Sequence, residues 1–499
     1  MKKFYITTSI AYTNAFPHIG FALESVQTDV IARYYRLLGG DVFFLTGTDE
    51  HGVKIAKAAE EVGKEPKDFV DEISERVKEL KKILNLSWDD FVRTTDKKRH
   101  WPAVKKVWLK LKESGDIYKK KYKGLYCSGC EAFITEKDLI DGKCLTHQKE
   151  PELVEEENYF FRLSRYLNKI EELIKKDELK IIPETRKNEV LGLIKQGLED
   201  ISFSRAREKL KWGIPVSDDP SQTIYVWVDA LSNYISALGY ENGKNFKRYW
   251  PADVHCIGKD ILKFHALIWP GMLLSLGLLL PKAIFVHGFI TVAGQKMSKS
   301  LGNVIDPFEL VEKYGTDAVR YYLLREIPST EDGDFTYEKF EERYNADLAS
   351  GVGNLVARVL TMAENINPKS QIPNPKQIQN PKFKTLIKEV REKYKNALDN
   401  FKFNEALKTI WDLISFCDGY IERERPWEIK NLLRSKPEVL LRGQKVISDL
   451  LIVLAIIAEM LQPFLPGTSQ KIFQQLGVKP DKKPWRFKIK KAKPLFPRI

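Results

Sequence analysis

A chain of 499 residues, 43% of them hydrophobic, is too long for one compact core and carries enough apolar side chain for two or three, which excludes a small single domain and a disordered chain. Lysine and arginine number 81 against 68 aspartates and glutamates, a formal net charge of +13; such a surface fits a polyanionic partner, a thermophilic origin or plain solubility alike. The five cysteines, Cys127, Cys130, Cys144, Cys256 and Cys417, are too sparse and odd in number for a disulfide framework and point to a reducing, cytoplasmic setting.

In chain order, Lys3 to Thr8 is rich in β-branched and aromatic residues and predicts a strand, with no apolar run of signal-peptide type before it. Phe21 to Leu38 has helical periodicity, with Ala22, Val26, Val30 and Tyr34 on one face, and stops at Gly39-Gly40. Val42 to Leu45 predicts a second, fully apolar strand that leads into Thr46-Gly47-Thr48-Asp49-Glu50-His51-Gly52 and another helix. This βαβ start implies a parallel sheet, with ligands bound beyond the carboxyl ends of its strands. Near Gly115 a segment with cysteines and many lysines intrudes, to about residue 215. Alternation then returns with strands at Thr223 to Val228, Val254 to Ile257 and Ala283 to Val286, and a helix from Asp260. From about Tyr337 the periodicity is helical and predicts a bundle, broken by a loop that repeats Asn-Pro-Lys at Asn367, Asn374 and Asn380. The apolar runs Ala266 to Leu280 and Leu450 to Ala458 are too short or too interrupted to cross a bilayer and read as buried core; no membrane partner is expected. The expected fold is thus α/β, a Rossmann-like doubly wound parallel sheet split by an insertion and followed by an α-helical bundle. Its divisions fall at 1–115, 116–215, 216–336, 337–478 and a basic terminal segment, 479–499.

Two separated stretches carry the chemistry. Pro17-His18-Ile19-Gly20 stands at the start of the first helix, where free amides and the helix dipole favour an anion and Gly20 admits a nucleotide to the backbone; capping and packing would also explain it. Far downstream, Lys296-Met297-Ser298-Lys299-Ser300 sets two lysines three apart in a small-residue loop flanked by Gly294 and Gly302, where both reach a triphosphate. Cys127-Ser128-Gly129-Cys130 with Cys144-Leu145-Thr146-His147 supplies four ligands in two knuckles, the set of a closed, structural, tetrahedral zinc site with no open position for substrate.

The first stretch resembles the HIGH signature of class I aminoacyl-tRNA synthetases, and the second matches their KMSKS signature, in the right order and far apart. The string Gly47 to Gly52, the run Tyr225-Val226-Trp227-Val228-Asp229-Ala230, and Ile257-Gly258-Lys259-Asp260 with His265 are similar to methionyl-tRNA synthetases of the bacterial, single-knuckle type over nearly the whole chain. That resemblance implies ATP-dependent activation of L-methionine to methionyl-adenylate and transfer to the 3′ end of initiator and elongator tRNA(Met), with Mg²⁺ accompanying ATP and one structural Zn²⁺. It implies that Pro17, His18, Gly20, Gly258, Asp260, Lys296, Met297, Ser298, Lys299 and Ser300 bind ATP, with His18, Lys296 and Lys299 catalytic. Asp49 would hold the α-amino group, and Ile10, Tyr12, Trp227, Tyr234, Ile261 and His265 would line a methionine pocket of apolar surface and aromatic rings, which suits a polarizable thioether. Asn354, Arg358 and Trp427 would read the anticodon, the tryptophan by stacking an unpaired base.

One position departs from the family: Phe21 stands where a second histidine usually follows the glycine, so a donor to the nucleotide is missing. Two other readings remain beside the main one. A tRNA-binding or regulatory paralogue fits Phe21, and cysteinyl-tRNA synthetase is the nearer enzyme rival, although it lacks the Gly47 to Gly52 string. The insertion is too short for the editing domain of the isoleucyl, valyl and leucyl relatives. No oligonucleotide-binding segment is read after the bundle, so such a module is absent or belongs to a separate subunit.

Overall fold

The computed structural model describes residues 2–127, 129, 132–134, 139–145, 148–297, 302–366, 378, 380–427, 437–481, 485–490 and 493–499. It groups into two compact units, one of Met1–Thr28, Tyr35–Lys82 and Leu86–His287, the other of Asp29–Tyr34, Ile83–Asn85 and Gly288–Ile499.

The first unit is built on a seven-stranded sheet. Its early elements are β1 (Lys3–Thr7), β2 (Ala11–Tyr12), α1 (Ile19–Leu37), β3 (Asp41–Asp49), α2 (Val53–Glu61), α3 (Pro66–Ile83), β4 (Asp90–Arg93) and α4 (His100–Glu113). Every pairing in the sheet is parallel, with Ile6 of β1 against Phe44 of β3 on one side and Val254 of the strand Val254–Gly258 on the other. The chain leaves β1 toward β3, and the later strands add on the opposite flank, so the order reverses at β1. The crevice at its carboxyl end is where such sheets bind ligands. Tyr5, Ile6, Phe44 and Leu45 are buried, as strands covered on both faces require.

Two expectations need correction. The run Thr223 to Val228 is not a strand of this sheet: Asp219–Ile224 pairs antiparallel with Ser204–Ala206 in a separate three-stranded sheet, and Val226–Leu231 is helical. Val226, Val228, Asp229, Ala230 and Leu231 are all buried and Trp227 is half-buried, so this short helix has no polar outer face to betray its period. The segment 116–215 is also not set wholly apart, because its strand Lys180–Ile182 forms an edge of the parallel sheet, Ile181 opposite Ile284. The rest of that segment carries a long antiparallel ribbon, β5 (Ile117–Cys127) against Glu152–Phe161. The run Ala266 to Leu280 is core only in part: Ala266 to Leu273 is buried, but Leu279 is 68% exposed.

The second unit opens with strand Ile290–Val292, paired with Gln295–Lys296 and Gly333–Phe335, so residues 288–336 group with the helical segment rather than with the parallel sheet. Helices Asn354–Ile366, Pro381–Asp399, Phe403–Glu424, Pro437–Leu461 and Pro466–Leu476 follow, with Leu407, Ile410, Leu413, Leu450, Val453 and Ile457 in their core. Leu450 to Ala458 is buried throughout, as the sequence predicted. Of the three Asn-Pro-Lys repeats, those at Asn367 and Asn374 lie outside the described residues, and Asn380 caps the helix that follows by accepting from the Lys382 amide.

Candidate active site

His18 stands just before α1, and its ring Nδ1 accepts from the Gly20 amide at 3.0 Å while its carbonyl accepts from the Phe21 and Ala22 amides. With Nδ1 used as an acceptor, the ring proton sits on Nε2, and burial lowers the basicity of this imidazole. His18 therefore caps its own helix with one nitrogen and keeps a neutral N–H donor on the other. Capping and catalytic readings of this residue are compatible.

Phe21 turns elsewhere. Its half-buried ring packs against the cluster of Ile55, Phe69, Val70, Ile73 and Val77, and it shares a small cavity with Ser25, Phe44 and Trp88. Three residues on, Glu24 is buried at 3% exposure, and its Oε1 accepts from the Ser9 amide and hydroxyl at 2.8 and 2.7 Å. Its Oε2 lies 2.9 Å from His287 Nε2. Ser9, Gly258 and His287 thus mark the carboxyl ends of three neighbouring strands. A Cβ on Gly258 would come within 2.8 Å of Asp260 Oδ1, the tip of an exposed side chain that would have to swing aside to admit it.

The residues expected to line the methionine pocket meet in two groups. Trp227 lies flat on Phe264, ring centroids 3.7 Å apart, and its edge faces His265 at 6.3 Å. His265 Nδ1 donates to the Ile261 carbonyl at 3.0 Å, which leaves Nε2 to accept from the Tyr234 hydroxyl at 2.7 Å. Burial pushes His265 down to about 4 and Tyr234 well above the usual phenol, so both are neutral across the physiological range. Ile10, Trp227 and Ile261 pack against the core that holds Tyr234. In the second group, Tyr12 and Asp49 face each other in the β2–β3 register, and Thr13 donates through its amide and hydroxyl to the Asp49 carbonyl, each at 3.0 Å.

Sequence reasoning missed Phe264, Glu24, His287 and a buried His51–Asp229–His100 link between the two groups. Phe264–Ile268 is a single π-helical turn, a local feature without a sequence signature, and it is what presents His265. The charged Glu24 on a buried helix was the one available signal.

Cys127 and Cys144 are buried at the end of β5 and in strand Lys143–Cys144, among Leu125, Ile134 and Leu139. Lys54 of α2 donates to the Gly129 carbonyl between them in sequence. Cys130 and His147 lie outside the described residues, and among the described residues no group of three or more metal-ligating side chains converges. Buried thiols are soft donors of the kind that suit a soft cation.

In the second unit Ala293 and Gly294, both at positive φ, make the two-residue turn of a hairpin that ends at the exposed Lys296. Asp334 Oδ1 accepts from the Gly294 amide and the Thr291 hydroxyl, each at 2.7 Å, and pins that turn. Lys296 Nζ lies 5.7 Å over the Phe289 ring, and Met297 is half-buried. Ser298, Lys299 and Ser300 lie outside the described residues. Asn354 is exposed at the start of its helix, and Arg358, one turn on, pairs with Asp418 at 3.3 Å and Glu422 at 2.5 Å. Trp427 is 43% exposed just past the helix that ends at Glu424, where Arg425 takes a left-handed conformation.

A parallel sheet with its crevice at β1, a histidine-capped first helix and a separate helical segment make up the architecture of a class I aminoacyl-tRNA ligase. Two family models match accordingly, tRNA synthetases class I (M) over residues 4–145 and 134–360 and the anticodon-binding domain of tRNA ligase over residues 382–492. The methionine–tRNA ligase of Caldanaerobacter subterraneus is 45% identical over 100% of this chain and 79% of its own length, and that of Thermotoga maritima 44% over 96% and 76%. The solved structure of Mycobacterium tuberculosis methionyl-tRNA synthetase in complex with methionyl-adenylate superposes with a TM-score of 0.94 at 38% identity, covering 100% of both chains. The chain belongs to the methionyl-tRNA synthetases, ATP-dependent ligases of methionine and tRNA. Among the described residues no helix is long and apolar enough to cross a membrane.

Proposed function

We propose that the ligase reaction runs on the residues assembled above. A carboxylate oxygen of methionine attacks the α-phosphorus of Mg-ATP, pyrophosphate leaves, and a terminal ribose hydroxyl of tRNA then attacks the acyl carbon and releases AMP. Neither step needs a protein nucleophile, so the protein contributes positioning and charge. His18 Nε2–H donates to the α-phosphate, Lys296 and Lys299 meet the leaving pyrophosphate, Pro17, Gly20, Gly258, Met297, Ser298 and Ser300 shape the nucleotide site, and Asp260 takes the ribose. Asp49 holds the α-amino group, and Ile10, Tyr12, Trp227, Tyr234, Ile261 and His265 enclose the side chain.

The observation that carries this reading is the neutral Tyr234–His265 pair beside the Trp227–Phe264 stack. It offers polarizable ring surface with both strong polar groups already bonded to each other, which suits a thioether and penalises a charged or amide side chain. Cys127, Cys130, Cys144 and His147 hold one structural zinc ion, which supplies folding energy to the knuckle rather than chemistry. Asn354, Arg358 and Trp427 read the anticodon of initiator and elongator tRNA(Met), in the cytoplasm, with any oligonucleotide-binding subunit a separate partner.

ATP–pyrophosphate exchange screened over the twenty amino acids tests the first half: methionine alone should sustain it, and exchange with cysteine, or none at all, would overturn the reading. Trp427→Ala tests the second half, by abolishing tRNA charging with exchange unchanged; equal loss of both would remove Trp427 from the anticodon site.

A further inference from the structure

Asp229 is 1% exposed, in a helix whose other residues are mostly apolar. A buried carboxylate is costly, and a well-packed apolar side chain of similar volume is often the more stable choice, so its presence calls for a task other than stability. Its Oδ2 lies 2.7 Å from His51 Nδ1 and its Oδ1 2.7 Å from His100 Nε2. A carboxylate only accepts, so both facing nitrogens are donors. Burial pulls this carboxyl upward, but the imidazoles of His51 and His100 outweigh it and keep the group ionised. His100 is itself tied on its far side, Nδ1 lying 2.7 Å from Ser236 Oγ. Asp229 is therefore anchored to α4 and to the segment around Tyr234, and the bond to His51 is its one bond to the loop after β3.

That loop is held at its other residues too, by backbone bonds and by the buried Glu50 carboxylate, which pairs with Arg93 at 2.6 Å. Thr13 binds the Asp49 carbonyl, the Glu50 amide donates to Thr94 Oγ1 at 2.8 Å, the Trp212 indole donates to the Glu50 carbonyl at 2.5 Å, and the Gly52 amide donates to the Trp212 carbonyl at 3.2 Å. At His51 a side chain reaches across to the wall that carries Trp227, two residues before Asp229. Gly52 takes φ 127°, a conformation that favours glycine, immediately after His51, and the Asp229 bond adds a lateral constraint on which way the preceding residues face.

We propose that Asp229 is a positioning residue for amino-acid binding: through His51 it fixes the Asp49–Gly52 loop, and with it the direction of the Asp49 carboxylate toward the substrate α-amino group. This deepens the assignment of Asp49 made above and rests on it. The thioether side of the pocket has a further hold in the Ile261–His265–Tyr234 chain, so the penalty for losing Asp229 falls chiefly on the amino group.

Two inhibitors of ATP–pyrophosphate exchange separate these parts: methioninol, which keeps the amino group, and 4-(methylthio)butanoate, which lacks it. In Asp229→Asn the methionine KM should rise and methioninol should weaken about tenfold, the scale of one hydrogen bond to a charged group, with the butanoate changed less than about twofold and the ATP KM unmoved. His51→Ala should give the same pattern without touching the buried carboxylate, and it serves alone if Asp229→Asn does not fold. His51→Asn, whose amide N–H falls where Nδ1 stood, should restore the wild-type constants. Equal weakening of both inhibitors, or no rescue by asparagine, would overturn the proposal. Asp49→Asn distinguishes the two levels: if it too leaves methioninol and the butanoate equally affected, the Asp49 assignment fails, whereas selective loss of methioninol there but not in the Asp229 and His51 variants sinks this proposal alone.

Discussion

His265 shows how the environment of one side chain enters stability. Its basicity falls to about 4 in the fold because burial disfavours the imidazolium, against about 6.5 in an unfolded chain. The unfolded state therefore binds the proton more readily between those values, so stability is complete above about pH 6.5 and is lost as pH falls through about 4, by about 3 kcal/mol. Urea unfolding from pH 7 to 4 should show that loss for the wild type and a shallower one for His265→Gln; parallel curves would mean that this histidine is not the group involved. Phe21 is the complementary case, a residue whose chemistry was subtracted. Its ring sits in an apolar cluster, so Phe21→His should cost about 1 to 3 kcal/mol of stability. If the new imidazole reaches the nucleotide, the rate of pyrophosphate exchange should rise about tenfold or more.

At the scale of elements, the informative ones are short. The hairpin turn at Ala293-Gly294 aims the chain into the lysine-bearing loop, and Asp334 fixes that turn while burial and two donors compete over its carboxyl, the donors prevailing. The lysine-bearing loop leaves the described residues at Met297 and returns to them at Gly302, which has φ 64°, and its cations are the ones proposed to meet the charge developing on pyrophosphate. Lys299→Ala should accordingly slow adenylate formation by about 10² to 10³ while the methionine KM stays level. An unchanged exchange rate would take Lys299 out of the chemistry. The π turn at Phe264–Ile268 works differently, as it alters which residues share a helix face and sets His265 under Tyr234.

At the scale of whole units, Arg320 is the clearest organiser. Fully buried in the second unit, it pairs with Asp29 at 2.8 Å and donates to the carbonyls of Phe464, Pro463 and Leu84, which joins three stretches far apart in sequence. A guanidinium suits this because its donors diverge in one plane. Arg320→Met would leave three carbonyls and part of the Asp29 charge unsatisfied, and chemical denaturation should report a loss of about 3 to 5 kcal/mol. A loss below 1 kcal/mol would show that water replaces the arginine.

The division between sequence and tertiary structure follows from range. Local pattern was enough for β1, α1 and β3, because an apolar strand, a 3.6-residue period and a glycine stop are written in neighbouring residues. It also sufficed for the family, since the histidine and lysine signatures are marks of short spacing. It misjudged Tyr225 to Leu231, where burial erased the period of a short helix, and Lys180–Ile182, where three residues inside an apparent insertion rejoin the sheet. It was silent on the Asp229 link, since a carboxylate at 229 and histidines at 51 and 100 have no common sequence register. What the sequence determined was the kind of chemistry, through residue types at fixed short spacings. What only the tertiary structure decided was the orientation of groups such as His51, His265 and His287, because their bonds to Asp229, Tyr234 and Glu24 close between residues that are remote along the chain.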